Sequence, residues 1–221
     1  MILDRAEIAV AEYNRGGLHY NLVADAIYPA RETMNPFSAE YEPYIIAGLI
    51  AFDMRRTMGD GDKYEANGTG FRARVRAKMR SVRERLKGVP LVCLRQIELA
   101  SFDNEIKEAY DCLAASGEGA LNGRPAEFQV GATKILHWIA PAVFIMLDRN
   151  VASAFREHHA VKFDKGTQPG YTAEKYFSCL HYAQVEIEAY GYERFRRLEP
   201  ATPLARLFDK VSFVAGRTEM Q

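Results

Sequence analysis

The chain has 221 residues, 48% of them hydrophobic and 11% aromatic, with 29 Lys plus Arg against 29 Asp plus Glu. That composition excludes a disordered chain, and the length can bury one large core or two small ones. Zero net charge excludes a globally basic protein, the usual footprint of phosphate binding, although a sum says nothing about individual faces.

Helical spacing dominates. Over residues 4–14, Ile8, Val10, Ala11 and Tyr13 fall near one face and predict a first helix. From Tyr41 to Met58, Ile45, Ile46, Leu49, Ile50, Phe52 and Met54 predict a largely buried helix. Residues 59–70, with four glycines, are a loop by composition. The clearest helix covers residues 71–87: Val75, Met79, Val82 and Leu86 share a face, and Gly88 and Pro90 end it. Another helix is predicted over 90–100. Ser101–Asp103 then reads as an N-cap region for a helix stopped by Gly117 and Gly119.

After a loop with Gly123 and Pro125, a helix containing residues 131–138 is broken by Pro141. The apolar run Val143–Leu147 leads to Asp148, the predicted N-cap of the next helix. A loop over 162–170 precedes a long helix from Thr172 to Tyr190, ended by Gly191. A short helix over Pro203–Lys210 comes last, with Val211–Val214 a short strand or a terminal extension. The expected fold is all-α or nearly so, a compact multi-helix domain over residues 1–221. If it divides into two helical subdomains around a cleft, the division falls near 59–70 and 117–126.

Cys93, Cys112 and Cys179 are odd in number and form no C-x-x-C pair. They are expected to be buried small hydrophobes, not a disulfide framework or a zinc site. The N-terminal residues lack a signal-peptide apolar core. No run approaches the ~18 apolar residues of a membrane span. A cytoplasmic protein with no membrane partner is expected, its oligomeric state open. The Gly-Asp-Gly-Asp run at 59–62 lacks the glutamate that a calcium loop needs at its twelfth position. Signatures of P-loop, Rossmann, zincin and α/β-hydrolase enzymes are missing, so no metal and no cofactor is implied.

Two constellations carry chemistry. The helix over 71–87 holds eight cations against the single Glu84. Its residues Arg72, Arg76, Arg80 and Arg83 could grip a phosphate backbone without reading sequence. The plain alternative is a solvated helix paired with Glu98, Asp103, Glu105, Glu108 and Asp111. The second constellation spans residues 131–151. Lys134 lies in the first turns of a helix against Ile135, Leu136 and Trp138, where a lowered pKa would make an amine nucleophile. Asp148, at a helix N-terminus, is expected to stay ionised. His137 and Trp138 are candidate pocket residues, with core positions as the plain alternative. Adjacent His158 and His159 point apart and are expected at the surface.

Val130-Gly131, Lys134 and Leu147-Asp148-Arg149-Asn150-Val151 resemble the core of the helix-hairpin-helix DNA glycosylase superfamily, which includes the 8-oxoguanine DNA glycosylases. The match covers about a tenth of the chain, and its glycine hairpin is reduced to Gly131, with Gln129 near the other position. The resemblance implies a DNA partner and a base-excision reaction. It implies that Lys134 is a Schiff-base nucleophile, that Asp148 assists it and stabilises charge at C1′, and that Gly131 offers backbone N–H groups to a phosphate. A helical nucleic-acid-binding module without catalysis, and a module whose basic face binds an acidic protein, remain open beside it.

Overall fold

The computed structural model describes residues 1–16, 18–49, 51, 71–115, 128–163 and 170–218. Their regular elements are all helical: α1 (Ala6–Gly16), α2 (Leu18–Thr33), α3 (Glu42–Leu49), α4 (Phe71–Arg85), α5 (Asp103–Ala114), α6 (Gln129–Ile139), α7 (Arg149–His159), α8 (Ala173–Tyr190), α9 (Tyr192–Arg196) and α10 (Leu204–Thr218). The all-α class therefore stands. The two stretches expected to divide the chain, the 59–62 run and most of the predicted helix beyond residue 49 lie outside the described residues.

Helix α6 lies at the centre. Every residue in it except Val130 is buried, so it is enclosed on all sides instead of presenting one apolar stripe. Helices α3 and α5 pack on α6, α4 and α8 pack on α5, and α10 packs on α1 and α7. After α6 the chain turns at Ala140–Pro141 and runs extended from Phe144 to Asp148, buried as far as Leu147. With no strand beside it, side chains hold its backbone. The Phe144 carbonyl accepts from His137 Nδ1 at 2.7 Å and the Ile145 carbonyl from the Tyr176 hydroxyl at 3.0 Å. The Met146 N–H donates to Asp209 Oδ1 at 2.9 Å, and the Leu147 N–H to Thr133 Oγ1 at 3.0 Å. A buried backbone group left unpaired would lose about the worth of a hydrogen bond or more, so these four side chains fix the path to Asp148.

Several expectations change. The face of α1 is Ala6, Ala9, Val10 and Tyr13, a strict three-and-four spacing, whereas Ile8 is 55% exposed and Ala11 is exposed. Helix α2 was not expected, because Pro29 sits inside it. Residues 90–100 form only two 3₁₀ turns, Leu94–Gln96 and Leu99–Phe102. There the Leu94 N–H turns to the Ala142 carbonyl, and the Gln184 amide takes the carbonyls of Leu94 and Ile97, both at 2.8 Å. Asp103 is the first residue of α5, not its cap. Residues 211–214 are not a strand. They continue α10, with Val211 and Val214 buried in register with Leu204, Leu207 and Phe208.

His159 is not a free surface group. Its Nε2 lies 2.6 Å from buried Glu186, which also accepts the N–H groups of Ile2 and Leu3 at 2.7 and 2.9 Å. Of the cysteines, Cys179 is buried, whereas Cys93 and Cys112 are half-buried.

Helices α7 and α10 meet backbone to backbone. A Cβ at Gly216 would run into the Asn150 carbonyl oxygen and the Ala154 nitrogen. Gly216→Ala must therefore separate the start of α7 from α10, and it should destabilise the protein by about 1–3 kcal/mol, read as a lower melting temperature. An unchanged melt would show that the two helices part freely.

Candidate active site

The extended segment delivers Asp148 to the N-terminus of α7, where its Oδ1 accepts the N–H groups of Asn150 and Val151, each at 2.9 Å. The cap predicted from sequence is thus present. Lys134, on α6, is 6% exposed. Its neighbour Thr133 holds the Leu147 N–H, which locks the register of α6 to that of the chain entering Asp148. Lys134 and Asp148 line one cavity of about 50 Å³, together with Tyr13, Arg206 and Asp209. Tyr20 and Phe213, both half-buried like Asp148, also line it.

Burial pushes the pKa of Asp148 up, opposed by the Val151 N–H, the Lys134 charge and the Asn150 N–H. Desolvation thus opposes the helix terminus, whose two N–H groups favour the carboxylate. The shift makes Asp148 a stronger base than an ordinary aspartate.

Helix α10 supplies the partners that sequence reading missed. Arg206 is 2% exposed, donates from Nη2 to the Tyr13 hydroxyl at 2.6 Å, and lies 4.9 Å over that ring. Asp209 is 2% exposed and places Oδ1 on the Met146 N–H. Its Oδ2 has no hydrogen-bond partner among the described residues. Burial pushes the Asp209 pKa well up, against the pull of Arg206 and the Met146 N–H. Leu204, Leu207, Phe208 and Val211 hint at an apolar side, but Arg206, Asp209 and Lys210 are buried beside them, which the apolar spacing alone does not reveal.

The other predicted site residues lie elsewhere. His137 and Trp138 are fully buried, and neither is among the described residues that line the cavity. Burial, followed by the nearby Arg206 charge, holds the His137 pKa at about 3, so the ring is neutral. The Phe144 carbonyl can only accept, so Nδ1 carries the hydrogen and Nε2 accepts from the Tyr28 hydroxyl at 3.2 Å. His137 is thus a satisfied core histidine and Trp138 a core ring packed against Gly48. Gly131 is buried inside α6, and a Cβ there would enter the Phe128 ring. Close packing, not phosphate binding, accounts for this glycine.

On α4, Arg72 and Arg76 both direct Nε to the carboxylate of Glu42, which is 3% exposed. Of the expected acidic partners, Glu108 approaches Arg85 at 3.8 Å. Arg80 and Arg83 are exposed and, with Phe37, Ile45 and Met79, line a groove of about 310 Å³. None of these four arginines lines the Lys134 cavity. Among the described residues no group of three or more His, Cys, Asp or Glu side chains could hold a metal ion, and no helix is long and apolar enough to cross a membrane.

The raised Asp209 pKa sets a sign for stability. Above an unfolded-state pKa of about 3.9, the unfolded chain releases a proton that the folded chain keeps, so this contribution weakens folding as pH rises towards the folded pKa. Asp209→Asn keeps the acceptor for Met146 and removes the titration. Its melting temperature relative to wild type should rise as pH increases above about 3.9, the unfolded-state value, towards the folded pKa. A gap that is flat or narrows with pH would contradict a buried, protonated Asp209.

Comparison of the chain with models of known families, with curated proteins and with solved structures finds no match.

Proposed function

We propose that this protein is a DNA-binding base-excision enzyme, an N-glycosylase with lyase capacity that uses Lys134 and Asp148. The observation that carries the reading is that a buried lysine and a half-buried helix-capping carboxylate line the same cavity. The sequence resemblance around residues 130–151 points the same way. In this scheme DNA presents an extruded nucleotide. Asp148 accepts a proton from the Lys134 ammonium, and the Nζ lone pair attacks C1′ as the bond from C1′ to the base breaks. The C1′–O4′ bond then opens as a second proton passes from the amine to O4′, which leaves a protonated imine between Lys134 and the sugar. The raised pKa of Asp148 suits the first proton transfer.

Arg80 and Arg83 support a phosphate contact of their own, apart from catalysis. They are exposed at the rim of their groove, whereas Arg72 and Arg76 are engaged by Glu42. That arrangement also favours the second reading, a helical nucleic-acid-binding module without chemistry.

Two measurements separate the readings. Borohydride reduction on a duplex with an abasic site should trap wild type covalently and should not trap Lys134→Ala. Asp148→Asn, which caps as well as Asp, should fold normally and trap about 10²-fold more slowly. Equal trapping of wild type and Lys134→Ala would rule out this nucleophile. Replacing Arg80 and Arg83 together with Ala should lower the slope of log affinity against log salt by about 2 on duplex DNA. An unchanged slope would remove both residues from the interface.

A further inference from the structure

Asp209 has one oxygen too many for the structural task it performs. Oδ1 already serves the Met146 N–H at 2.9 Å. Oδ2 is buried, has no hydrogen-bond partner among the described residues, and belongs to a side chain that lines the Lys134 cavity. The nearest donor ring is no partner. His137 Nδ1 lies 3.6 Å away and sends its hydrogen to the Phe144 carbonyl. A buried oxygen left unsatisfied is destabilising, and natural cores rarely keep one without a use.

We propose that Asp209 is the general acid of this site: Oδ2 carries the proton that passes to the departing base as the glycosidic bond breaks. The proposal rests on the base-excision reading above. In the step, the Lys134 Nζ lone pair forms the bond to C1′. The electron pair of the C1′–N bond leaves with the base. The Asp209 Oδ2–H bond supplies its proton to a ring nitrogen or carbonyl oxygen of that base, and a carboxylate remains on Asp209. The carboxylate faces favourable charge, because Arg206 lies three residues earlier on α10 and lines the same cavity.

The ionisable groups around Asp209 include Arg206 on its own helix, Tyr13 on α1, Tyr28 on α2, Lys134 and His137 on α6, Asp148 at the start of α7, and Tyr176 on α8. His137 is neutral, so Lys134 and Arg206 are the basic groups of this set. The two carboxyl groups occupy different environments, which suits different tasks. Asp148 receives two backbone N–H groups on one oxygen, fitting it to hold negative charge beside Lys134. Asp209 receives one N–H and is otherwise enclosed, which favours its protonated form.

The test compares one variant on two kinds of DNA. A preformed abasic site has no base to protonate, so the lyase step at Lys134 does not need the acid. Single-turnover excision is measured on duplexes carrying 8-oxoguanine, uracil or hypoxanthine, all neutral bases. Borohydride trapping is measured on an abasic duplex. Asp209→Asn, checked for folding by its melt, should lower base excision by about 10²-fold or more and leave abasic trapping unchanged. If excision and trapping fall together, Asp209 only supports the fold and the proposal is overturned. It is also overturned if neither falls, or if wild type traps abasic DNA yet excises none of the three bases; in that last case the role of Lys134 survives. A wild type that does neither defeats the base-excision reading itself.

Discussion

A stretch of extended backbone buried without a neighbouring strand sets the terms for the rest of the molecule. Residues 144–147 cross the interior, and each presents a polar group that no sheet completes. Thr133, His137, Tyr176 and Asp209 therefore have to be in the core, each at the right height on its helix. Their demands align α6, α8 and α10 around the segment. The candidate site follows from that alignment, because Lys134 is adjacent to Thr133, Asp148 follows Leu147, and Arg206 shares a helix with Asp209. Scaffold and site are one hydrogen-bonded system.

That coupling explains what could be read from the chain alone. Where polarity and burial agree, as along α4 with Val75, Met79, Val82 and Leu86, the periodicity located the helix and its buried face. Asp148 was legible because capping is local: the donors are two and three residues away. The nature of α10 was not legible, because Arg206, Asp209 and Lys210 interrupt the apolar pattern at positions that turn out to be buried. Tertiary hydrogen bonding, which has no local signature, decides those positions. Gly131 misled for a related reason. A glycine can mark a phosphate-binding turn or a place where a ring packs on backbone, and only the position of Phe128 separates the two. Residues 90–100 failed as a helix because Gln184, far away in sequence, takes carbonyls that a helix would have used itself.

The neutral charge total also resolves into geometry. The acidic residues of 98–111 are the counterweight to the basic helix that its sequence suggests, and Glu42, outside that stretch, takes Arg72 and Arg76. A buried carboxylate between two half-exposed arginines anchors α4 to α3 and removes those two cations from free use. Ion pairs of this kind specify how helices meet more than they add stability, since much of their attraction offsets desolvation. What remains for a polyanion is a smaller set of exposed charges than the composition of the helix suggests.

The size of the Lys134 cavity has a consequence for binding. Its roughly 50 Å³ has room for only a few water molecules, whereas ordinary ligand pockets hold roughly 300–1,000 Å³. A nucleobase cannot enter without displacing part of the wall, which includes the half-buried rings of Tyr20 and Phe213. On the base-excision reading, the conformation described would be the closed one, and affinity would be reduced by the fraction of molecules that are open. Trimming the Phe213 ring would widen this cavity at the cost of its edge-on contact with Tyr13.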